Sequence, residues 1–489
     1  MSTIKTILIT GGSGNMGRGA VDLLASQTNH RIRVFARESE RRLPVMRRWQ
    51  NDLRIEFAWG DLTDATAVAR AVDGADVVLH LGGLVSPLAD QLPAKVVSDV
   101  NVGGTEHIVA AIRASPDRDR IRLVYIGSVA QTGSRMPPIH WGRTGDPIKV
   151  GLHGHYAVTK TQGEAVVADS GLRYWVSLRQ SGMAHADMWR TSGPIVFHNP
   201  INGVFEWSTA NDSARLMAAV CGEVPEAFWR NFYNIGGGAS SRVVNHEFMA
   251  SSMAAMGIGD FRKVWEPNWS ATRNFHGQWY ADSDALEALV PFRQQSLGEF
   301  FKELPRHIPL GIRLFARFFP GLIRKQLKKI ADGPGGLLHY VAHDDSANIR
   351  AYFGSRAAWE RIPGKWDDFE FARPSRQPVL ISHGYDEAKP KEQWTLMDLH
   401  TAAAYRGGKC LAASAGAPYL PVPWECAMGH NFSMSPNLYL KGGHWCPKCQ
   451  YDVGNYDRIA ARNPFFAQVW AAEIADAAGA ASDTVTRTS

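Results

Sequence analysis

The stretch HYAVTK, residues 155–160, combines residue types at a spacing that could do chemistry. On a helix, Tyr156 and Lys160 would lie on one face about one turn apart. A tyrosine hydroxyl has an ordinary pKa of about 10, but a neighbouring ammonium favours the phenolate. We therefore expect Tyr156 to exchange a proton with a substrate oxygen near neutral pH. Ser128, which follows a predicted strand, would hold that oxygen.

Three glycines near the start of the chain predict a phosphate-binding turn. Gly11, Gly14 and Gly17 follow a predicted strand and open a predicted helix. The backbone of such a turn must approach a pyrophosphate closely, and the helix N-terminus offers free N–H groups and partial positive charge. This context makes the pattern more specific than a glycine motif alone.

Two further positions bear on the choice of dinucleotide. Arg37 ends the second predicted strand, where an acidic residue would accept a hydrogen bond from the adenosine ribose. A guanidinium suits a 2′-phosphate instead, so the sequence favours NADP(H), with NAD(H) as the alternative. In GDLTD, residues 60–64, Asp61 can bond the adenine amino group while Leu62 packs beside the ring.

The C-terminal part of the chain carries a metal-site spacing. Cys426, His430, Cys446 and Cys449 supply three thiolates and one imidazole in two close pairs. This donor set suits tetrahedral zinc, and because the protein fills all four positions, the pattern predicts a structural site. With so few other cysteines, the usage fits a reducing compartment better than a disulfide framework, so we expect a cytoplasmic protein.

The order of elements in the first 180 residues predicts an α/β fold. Strand-like and helix-like segments alternate, which favours a doubly wound parallel sheet of the Rossmann type. Its predicted strands are Thr6–Thr10, Ile32–Ala36, Arg54–Ala58, Val77–Leu81 and Arg122–Ile126, and its predicted helices include Gly17–Ser26, Ala65–Val72 and Thr105–Ala114.

Length and composition predict a multi-domain globular protein. The chain has 489 residues, of which 45% are hydrophobic and 20% charged, and its net charge of +6 is no argument for nucleic acid. We expect neither a signal peptide nor a spanning helix, because no apolar run reaches roughly 18 residues. The predicted units are 1–300, the dinucleotide domain with a substrate-covering region; 301–397, a helical or irregular connection; 398–455, a zinc module; and 456–489, a helix and tail.

Residues 301–330 are both apolar and basic and leave two interpretations open. One is an amphipathic helix pair packed on the main domain, and the other is a surface for a membrane or a partner. The sequence favours the first, because Pro309 and Pro320 interrupt the apolar stripe.

The order of these motifs resembles the extended short-chain dehydrogenase/reductases of the NAD(P)-dependent epimerase/dehydratase type. The matching pieces include TGGSGNMG, GDLTD, GADVVLHLGG, VNVGGTEHIVAA, YIGSVAQTG, YAVTK and FYNIGGG, and they cover about residues 4–300. The resemblance implies a catalytic triad of Ser128, Tyr156 and Lys160. It also implies cofactor contacts at Gly11, Gly14, Asn15, Met16, Gly17, Asp61, Leu62, Leu81, Gly82, Gly83 and Lys160.

The resemblance has departures that bear on the reaction. Val129 and Ala130 follow Ser128 where the 4,6-dehydratases of the family carry an Asp–Glu pair, which argues against that chemistry. Residues 82–83 and Gln180 also depart from common family patterns near the nicotinamide end. The candidate substrate-facing residues are Ser86, Gln180, His185, Trp207 and His276.

The resulting hypothesis is an NADP(H)-dependent oxidoreductase acting on a small hydroxyl or keto compound. The alternatives are an NAD-dependent sugar epimerase that recycles its hydride and, from another class, a non-catalytic NADP sensor that uses the zinc module to bind a partner. The stretch from AAAYRGGKCLA to WCPKC, residues 402–449, resembles a treble-clef zinc ribbon. The few Lys and Arg residues between Trp394 and Gln450 argue against nucleic acid. The sequence leaves a homo-oligomer open.

Overall fold

The computed structural model describes residues 4–151, 155–190 and 193–471. The predicted tail beyond residue 471 therefore lies outside the described residues. The division into units at 300, 397 and 455 stays a prediction.

The strands alternate with helices in the first half of the chain. The strands are β1 Thr6–Thr10, β2 Arg31–Ala36, β3 Ile55–Trp59, β4 Val77–His80, β5 Arg122–Ser128, β6 Trp141–Gly142, β7 Tyr174–Gln180, β8 Gly182–Ala184, β9 Val204–Thr209, β10 Asn231–Ile235, β11 Arg242–Val244, β12 Trp279–Tyr280, β13 Lys409–Cys410, β14 Val422–Glu425 and β15 Asn431–Met434.

Residues 464–471 are helical up to the end of the described part of the chain. The α-helices that lie wholly within the described residues include several short ones in the second half of the chain. They are α1 Asn15–Gln27, α2 Pro44–Trp49, α3 Ala65–Val72, α4 Ala94–Ser98, α5 Gly104–Ala114, α6 His155–Ala168, α7 Ile195–His198, α8 Ala210–Ala219, α9 Asn245–Ala255, α10 Ser283–Leu289, α11 Leu297–Glu303, α12 Leu310–Phe318, α13 Pro320–Ala331, α14 Leu337–Ala342, α15 Ser346–Phe353, α16 Arg356–Glu360, α17 Leu396–Tyr405, α18 Pro436–Leu440 and α19 Tyr456–Ala460.

A seven-stranded parallel sheet forms the centre of the molecule. Its order is β10-β7-β5-β4-β1-β2-β3, and every pairing between neighbours is parallel. The predicted Rossmann-type sheet is therefore confirmed, and the five predicted strands overlap β1–β5 to within two residues at either end. The strand order reverses direction between β1 and β4, and the crevice at their carboxyl ends is where such sheets bind ligands.

Alternating side chains of the strands fill a core on each face of the sheet. In β5, Leu123 and Tyr125 point into one core while Val124 and Ile126 point into the other. This alternation follows from the two-residue period of a strand, and a sheet covered on both faces needs apolar residues at every position.

The C-terminal segment belongs to the core on one of these faces. The side chains of Trp424, Leu438 and Tyr456 cluster with those of Leu123 and Trp175 from the sheet. The small sheet β13-β14-β15 and helix α18 therefore pack on the same face as α5 and α6. The predicted zinc module is thus an integral layer of this face rather than a distant appendage.

A buried polar network joins the same segment to α6 and β7. Two nitrogens of Arg179 donate to the Glu164 carboxylate, at 2.6 and 3.0 Å, and His444 Nε2 lies 2.8 Å from Glu164 Oε1. Ser177 Oγ donates to the other carboxylate oxygen at 2.6 Å, and Arg179 also donates to the Gly442 carbonyl at 2.6 Å. All three charged or titratable side chains are fully buried.

This network keeps Glu164 charged despite its burial. Burial by itself raises the pKa of the carboxyl, but Arg179 and the hydrogen bond from His444 hold the pKa well below its usual range. A buried carboxylate with this many donors is satisfied, whereas removal of one partner would leave a buried charge uncompensated.

The helix pair α12–α13 forms as the sequence predicts but packs on one side only. Ala316 is buried against Ile258 and Val264, whereas Leu310 and Phe318 are exposed. The favoured expectation that the apolar stripe packs on the main domain therefore holds for only part of it. Of the helices in the described part of the chain, none has the length and apolar character to cross a bilayer.

We expect Glu164→Gln to lower the free energy of unfolding by about 3–5 kcal/mol, because the substitution leaves Arg179 buried without its counter-charge. Urea unfolding at neutral pH measures this. Asp332→Asn is the matched control, since it breaks the exposed Lys328–Asp332 pair and should cost about 0–1 kcal/mol. Equal losses in the two variants would contradict a structural role for the network.

Candidate active site

The turn between β1 and α1 brings backbone close to the loop after β4. Gly11 has a φ of +69°, and a Cβ added there would lie 2.7 Å from the Gly82 Cα. A Cβ on Gly17 would lie 2.2 Å from the Gly11 carbonyl oxygen. Helix α1 begins at Asn15 with no side-chain cap, so its first N–H groups are free to face a ligand. These features fit a pyrophosphate cradle.

A cavity of about 560 Å³ opens at this turn. The structure places every residue predicted to contact the cofactor around this one cavity, together with the three predicted catalytic residues. Their role as cofactor contacts stays a prediction. The lining residues from that prediction are Gly11, Gly14, Asn15, Met16, Gly17, Arg37, Asp61, Leu62, Leu81, Gly82, Gly83, Ser128, Tyr156 and Lys160.

Ser128 and Tyr156 meet at one wall of this cavity. Ser128 ends β5 and its backbone N–H donates to Gln131 Oε1 at 2.7 Å, which fixes the strand end. Its side chain lies close enough to the Tyr156 hydroxyl to act on its pKa. Lys160, one turn further along α6, places its Nζ 4.4 Å from the centre of the Tyr125 ring.

The titration behaviour of the pair differs from the sequence argument. Burial raises the pKa of the Tyr156 hydroxyl, although the neighbouring Ser128 side chain acts in the opposite direction. Burial lowers the pKa of Lys160 to about 8 while Glu164 raises it. The expected lowering of the Tyr156 pKa by the ammonium does not occur here, because burial and the nearby Asp90 carboxylate both raise this pKa and Lys160 is not among its causes. Tyr156 is therefore protonated at neutral pH.

Two buried side chains missed by the sequence argument hold the loop after β4. Asn101 accepts a hydrogen bond from the Leu84 N–H at 2.7 Å and donates to the Leu84 carbonyl at 2.9 Å and to Thr159 Oγ1 at 3.0 Å. Thr10 Oγ1 accepts from the Gly82 N–H and lies 2.9 Å from His80 Nδ1. Their contacts span distant parts of the chain, so no local pattern reveals them.

A second cavity of about 410 Å³ adjoins the first. Tyr156, Phe275 and His276 line both cavities, so the phenol stands at their junction. Tyr340 and Tyr352, from α14 and α15, line the second cavity only. The segment after residue 300 thus lines part of this cavity, although no local sequence pattern predicts that role.

The structure separates the candidate substrate-facing residues. Ser86, Gln180, His185 and His276 line the first cavity, and Ser86 and His276 also line the second. Trp207 lines neither and stacks on a phenylalanine of α9, with ring centroids 3.9 Å apart. That prediction is therefore wrong for Trp207, because the partly buried ring packs against a core cluster.

Arg37 has an acidic neighbour that the sequence argument missed. Arg37 Nε donates to Glu40 Oε1 at 2.8 Å, and Ser13 Oγ donates to the other oxygen of Glu40 at 2.8 Å. Both charged residues line the first cavity. A carboxylate here suits a ribose hydroxyl, whereas the guanidinium suits a 2′-phosphate. The spacing of three residues was the signal for this pairing.

The four predicted metal ligands converge at the edge of the C-terminal segment. Their ligand atoms all lie within 4.8 Å of one another. The Cys426 and Cys449 sulfurs are 3.9 Å apart, and His430 Nδ1 lies 3.3 and 3.5 Å from the Cys449 and Cys446 sulfurs. Tetrahedral zinc separates two sulfurs by about 3.8 Å and a sulfur and a nitrogen by about 3.5 Å. The donor set therefore fits zinc.

Comparison with known proteins shows sequence similarity over the first part of the chain. Residues 7–181 match the NAD dependent epimerase/dehydratase family. The 3 beta-hydroxysteroid dehydrogenase type 7 of Homo sapiens is 31% identical over 171 residues, which are 34% of this chain and 44% of that protein. The UDP-glucose 4-epimerase of Rickettsia felis is 31% identical over 112 residues, 22% of this chain and 32% of that protein.

The chain spans about half the length of the curated relatives it matches first. Among solved structures, the dTDP-glucose 4,6-dehydratase DesIV of Streptomyces venezuelae, with NAD and TYD bound, matches with a TM-score of 0.50 at 19% identity. The match covers 62% of this chain and 96% of that chain, and it shows a shared fold. With the glycine turn and sheet described above, residues 7–181 are a domain of the NAD dependent epimerase/dehydratase family.

Proposed function

We propose that this protein is a nicotinamide-dinucleotide-dependent oxidoreductase that interconverts a hydroxyl and a carbonyl group. One observation carries the proposal: Tyr156, which shares the first cavity with Ser128, also lines the second cavity. The first cavity has the glycine turn for a dinucleotide, and the second has the size for a small organic substrate.

Each side chain at the junction has a role that its chemistry supports. A bound nicotinamide cofactor supplies hydride chemistry. Ser128 holds the substrate oxygen, and protonated Tyr156 donates its proton to that oxygen as a carbonyl is reduced, or takes a proton as an alcohol is oxidised. Lys160 lines the cofactor cavity, where its ammonium stabilises negative charge on the phenol and can donate to the nicotinamide ribose.

The second cavity favours an uncharged substrate. Among the described residues that line it there is no Lys or Arg, and its one carboxyl is Asp90. Burial lowers the pKa of His276 to about 4, so this ring is neutral. A sugar nucleotide would need cations for its diphosphate. The nucleotide-sugar epimerase is therefore the second candidate, favoured only by the family match, and the intact triad argues against a sensor without catalysis.

We expect Tyr156→Phe to lower kcat by about 10²–10⁴-fold while cofactor affinity is retained, because the proton donor alone is lost. The assay follows nicotinamide absorbance with a panel of ketones, secondary alcohols and UDP-glucose. Tyr174→Phe, on β7 outside both cavities, is the control and should keep full activity. A fully active Tyr156→Phe enzyme would refute the role, and turnover of UDP-glucose alone would favour the epimerase.

For the dinucleotide, we propose that the Arg37–Glu40 pair decides between NAD(H) and NADP(H). The sequence argument for NADP(H) rests on Arg37, but the nearby carboxylate repels a 2′-phosphate and can accept from the ribose hydroxyls of NAD(H). With Glu40 in place, the pair favours NAD(H).

We expect Glu40→Gln to tighten NADP⁺ binding about five- to tenfold relative to NAD⁺, because the repulsion is removed and Arg37 is freed for the phosphate. Arg37→Met should shift the preference the other way. Titration calorimetry with each dinucleotide measures both. Unchanged preference in Glu40→Gln would show that this carboxylate does not contact the ribose region.

We also propose that Cys426, His430, Cys446 and Cys449 hold a structural zinc ion. The support is the close approach of the four ligand atoms. Because four protein donors complete a tetrahedral site, no position is left for a catalytic water. The turn that contains Cys446 and Cys449, which we call the knuckle, lies close to the sheet domain. The neighbouring Trp445 Nε1 donates to the Ile148 carbonyl at 2.9 Å. Zinc would thus fix the segment that carries His444 and Trp445 against the core.

We expect purified protein to contain stoichiometric zinc, and removal by a strong chelator to lower the melting temperature sharply. The reason is that structural zinc contributes about 10 kcal/mol or more of local folding free energy. Cys449→Ser should reproduce the loss, and Cys221→Ser, a buried cysteine outside the cluster, is the control for metal content. Wild-type protein that is metal-free and equally stable would exclude the site.

A further inference from the structure

The helices α12 and α13 present an exposed apolar surface. Its members are large side chains that contact little of the protein, with exposed fractions of 65% for Leu310, 68% for Phe318 and 55% for Leu322. Leu314, Phe315 and Phe319 are also exposed and complete what we call the α12–α13 surface. Contiguous exposed apolar side chains of this kind mark an interaction site, whereas isolated ones need no explanation.

The apolar side chains follow a helical stripe. Leu310, Leu314 and Phe318 are spaced four residues apart along α12, so they lie on one face of the helix. The rings of Phe315 and Phe319 contact each other at 5.3 Å between centroids. The surface is therefore continuous across the junction of the two helices at Pro320.

The helix pair is held firmly on its other side. Ala316 packs against Ile258 and Val264, and Arg324 forms a 2.5 Å ion pair with Glu266. Leu304, just before α12, is fully buried in a neighbouring core cluster. Because these contacts fix the backbone, the outward apolar stripe is a property of the folded protein rather than of a loose segment.

The charges around this surface are mostly positive, although Arg324 and Lys328 form ion pairs with Glu266 and Asp332. From residue 304 to residue 331 the sequence contains seven Lys or Arg residues and no Asp or Glu. Arg317, Lys325 and Lys329 are among those exposed to solvent. A helix with leucine and phenylalanine on one side and cations beside them is the pattern of helices that lie in the interface of an anionic bilayer.

We propose that the α12–α13 surface docks the protein on an anionic lipid bilayer, with the leucine and phenylalanine side chains inserted among the acyl chains and the cations at the headgroups. The charge pattern selects this occupant. In a symmetric contact with a second copy, the cations of one surface that have no ion pair in the same copy would face those of the other, which disfavours self-association. A nucleic acid would use the cations but leave the apolar stripe in water.

The proposal is independent of the reaction assigned above, since it concerns residues outside both cavities. It also explains the combination of features that the sequence left open for residues 301–330. Interfacial docking needs no spanning segment, because the helices lie parallel to the bilayer plane.

The test is sedimentation of the full chain with vesicles of phosphatidylcholine alone and of phosphatidylcholine mixed with phosphatidylglycerol. We expect binding to the mixed vesicles, weakened by salt. Phe318→Ser should lower the partition coefficient about tenfold, because one buried aromatic side chain is lost from the acyl region. Lys325→Gln should lower it about fivefold on the mixed vesicles and leave phosphatidylcholine binding unchanged.

Matched controls lie elsewhere on the surface. Leu53→Ser removes a fully exposed leucine and Lys365→Gln removes an exposed lysine, and neither should change vesicle binding. Because the tested side chains are exposed, their variants should keep the melting temperature of the wild type. This separates loss of docking from loss of folding.

Four outcomes would overturn the proposal. The first is a wild-type protein that does not sediment with either vesicle, and the second is binding that the Phe318 and control variants share equally. The third is concentration-dependent self-association, seen by analytical ultracentrifugation, that Phe318→Ser abolishes while no vesicle binds; the surface would then join two copies of this chain. Binding of heparin without vesicle binding would likewise assign the cations to a polyanion.

Discussion

The buried contact between Glu164, Arg179 and His444 is the constraint on which the arrangement of this molecule depends. It joins the helix that carries Tyr156 and Lys160 to the sheet and to the C-terminal segment. Charges in this position are costly unless every partner is present, so the three elements must assemble together. The hydrophobic core on that face likewise combines residues from both ends of the chain in one cluster.

This arrangement explains why a dinucleotide domain and a cysteine-rich segment occur in one chain. The knuckle that contains Cys446 and Cys449 directly follows His444 and Trp445, which both reach into the sheet domain. A metal at the knuckle would hold these two side chains in place from outside the active site. Chemistry at the cavities and architecture at the knuckle are then coupled through the back of one helix, α6.

The two cavities are lined by different parts of the chain. The first cavity is built from loops at the carboxyl ends of the parallel strands, as the strand order requires. The second takes part of its wall from α14 and α15, which follow the helix pair α12–α13. The sequence predicted no role in either cavity for residues 301–397. In the structure they line part of the second cavity and carry the exposed α12–α13 surface.

The sequence by itself determined the parallel sheet and the glycine turn, and it predicted the grouping of Ser128, Tyr156 and Lys160 and the convergence of three cysteines and one histidine. These depend on local spacing, because a strand, a turn or a helix face is specified by residues within a few positions of each other. Tertiary structure alone decided the raised pKa of Tyr156, the packing of Trp207 and the exposure of the α12–α13 stripe. Each of these depends on burial or on contacts between distant segments, and a sequence pattern carries no measure of either.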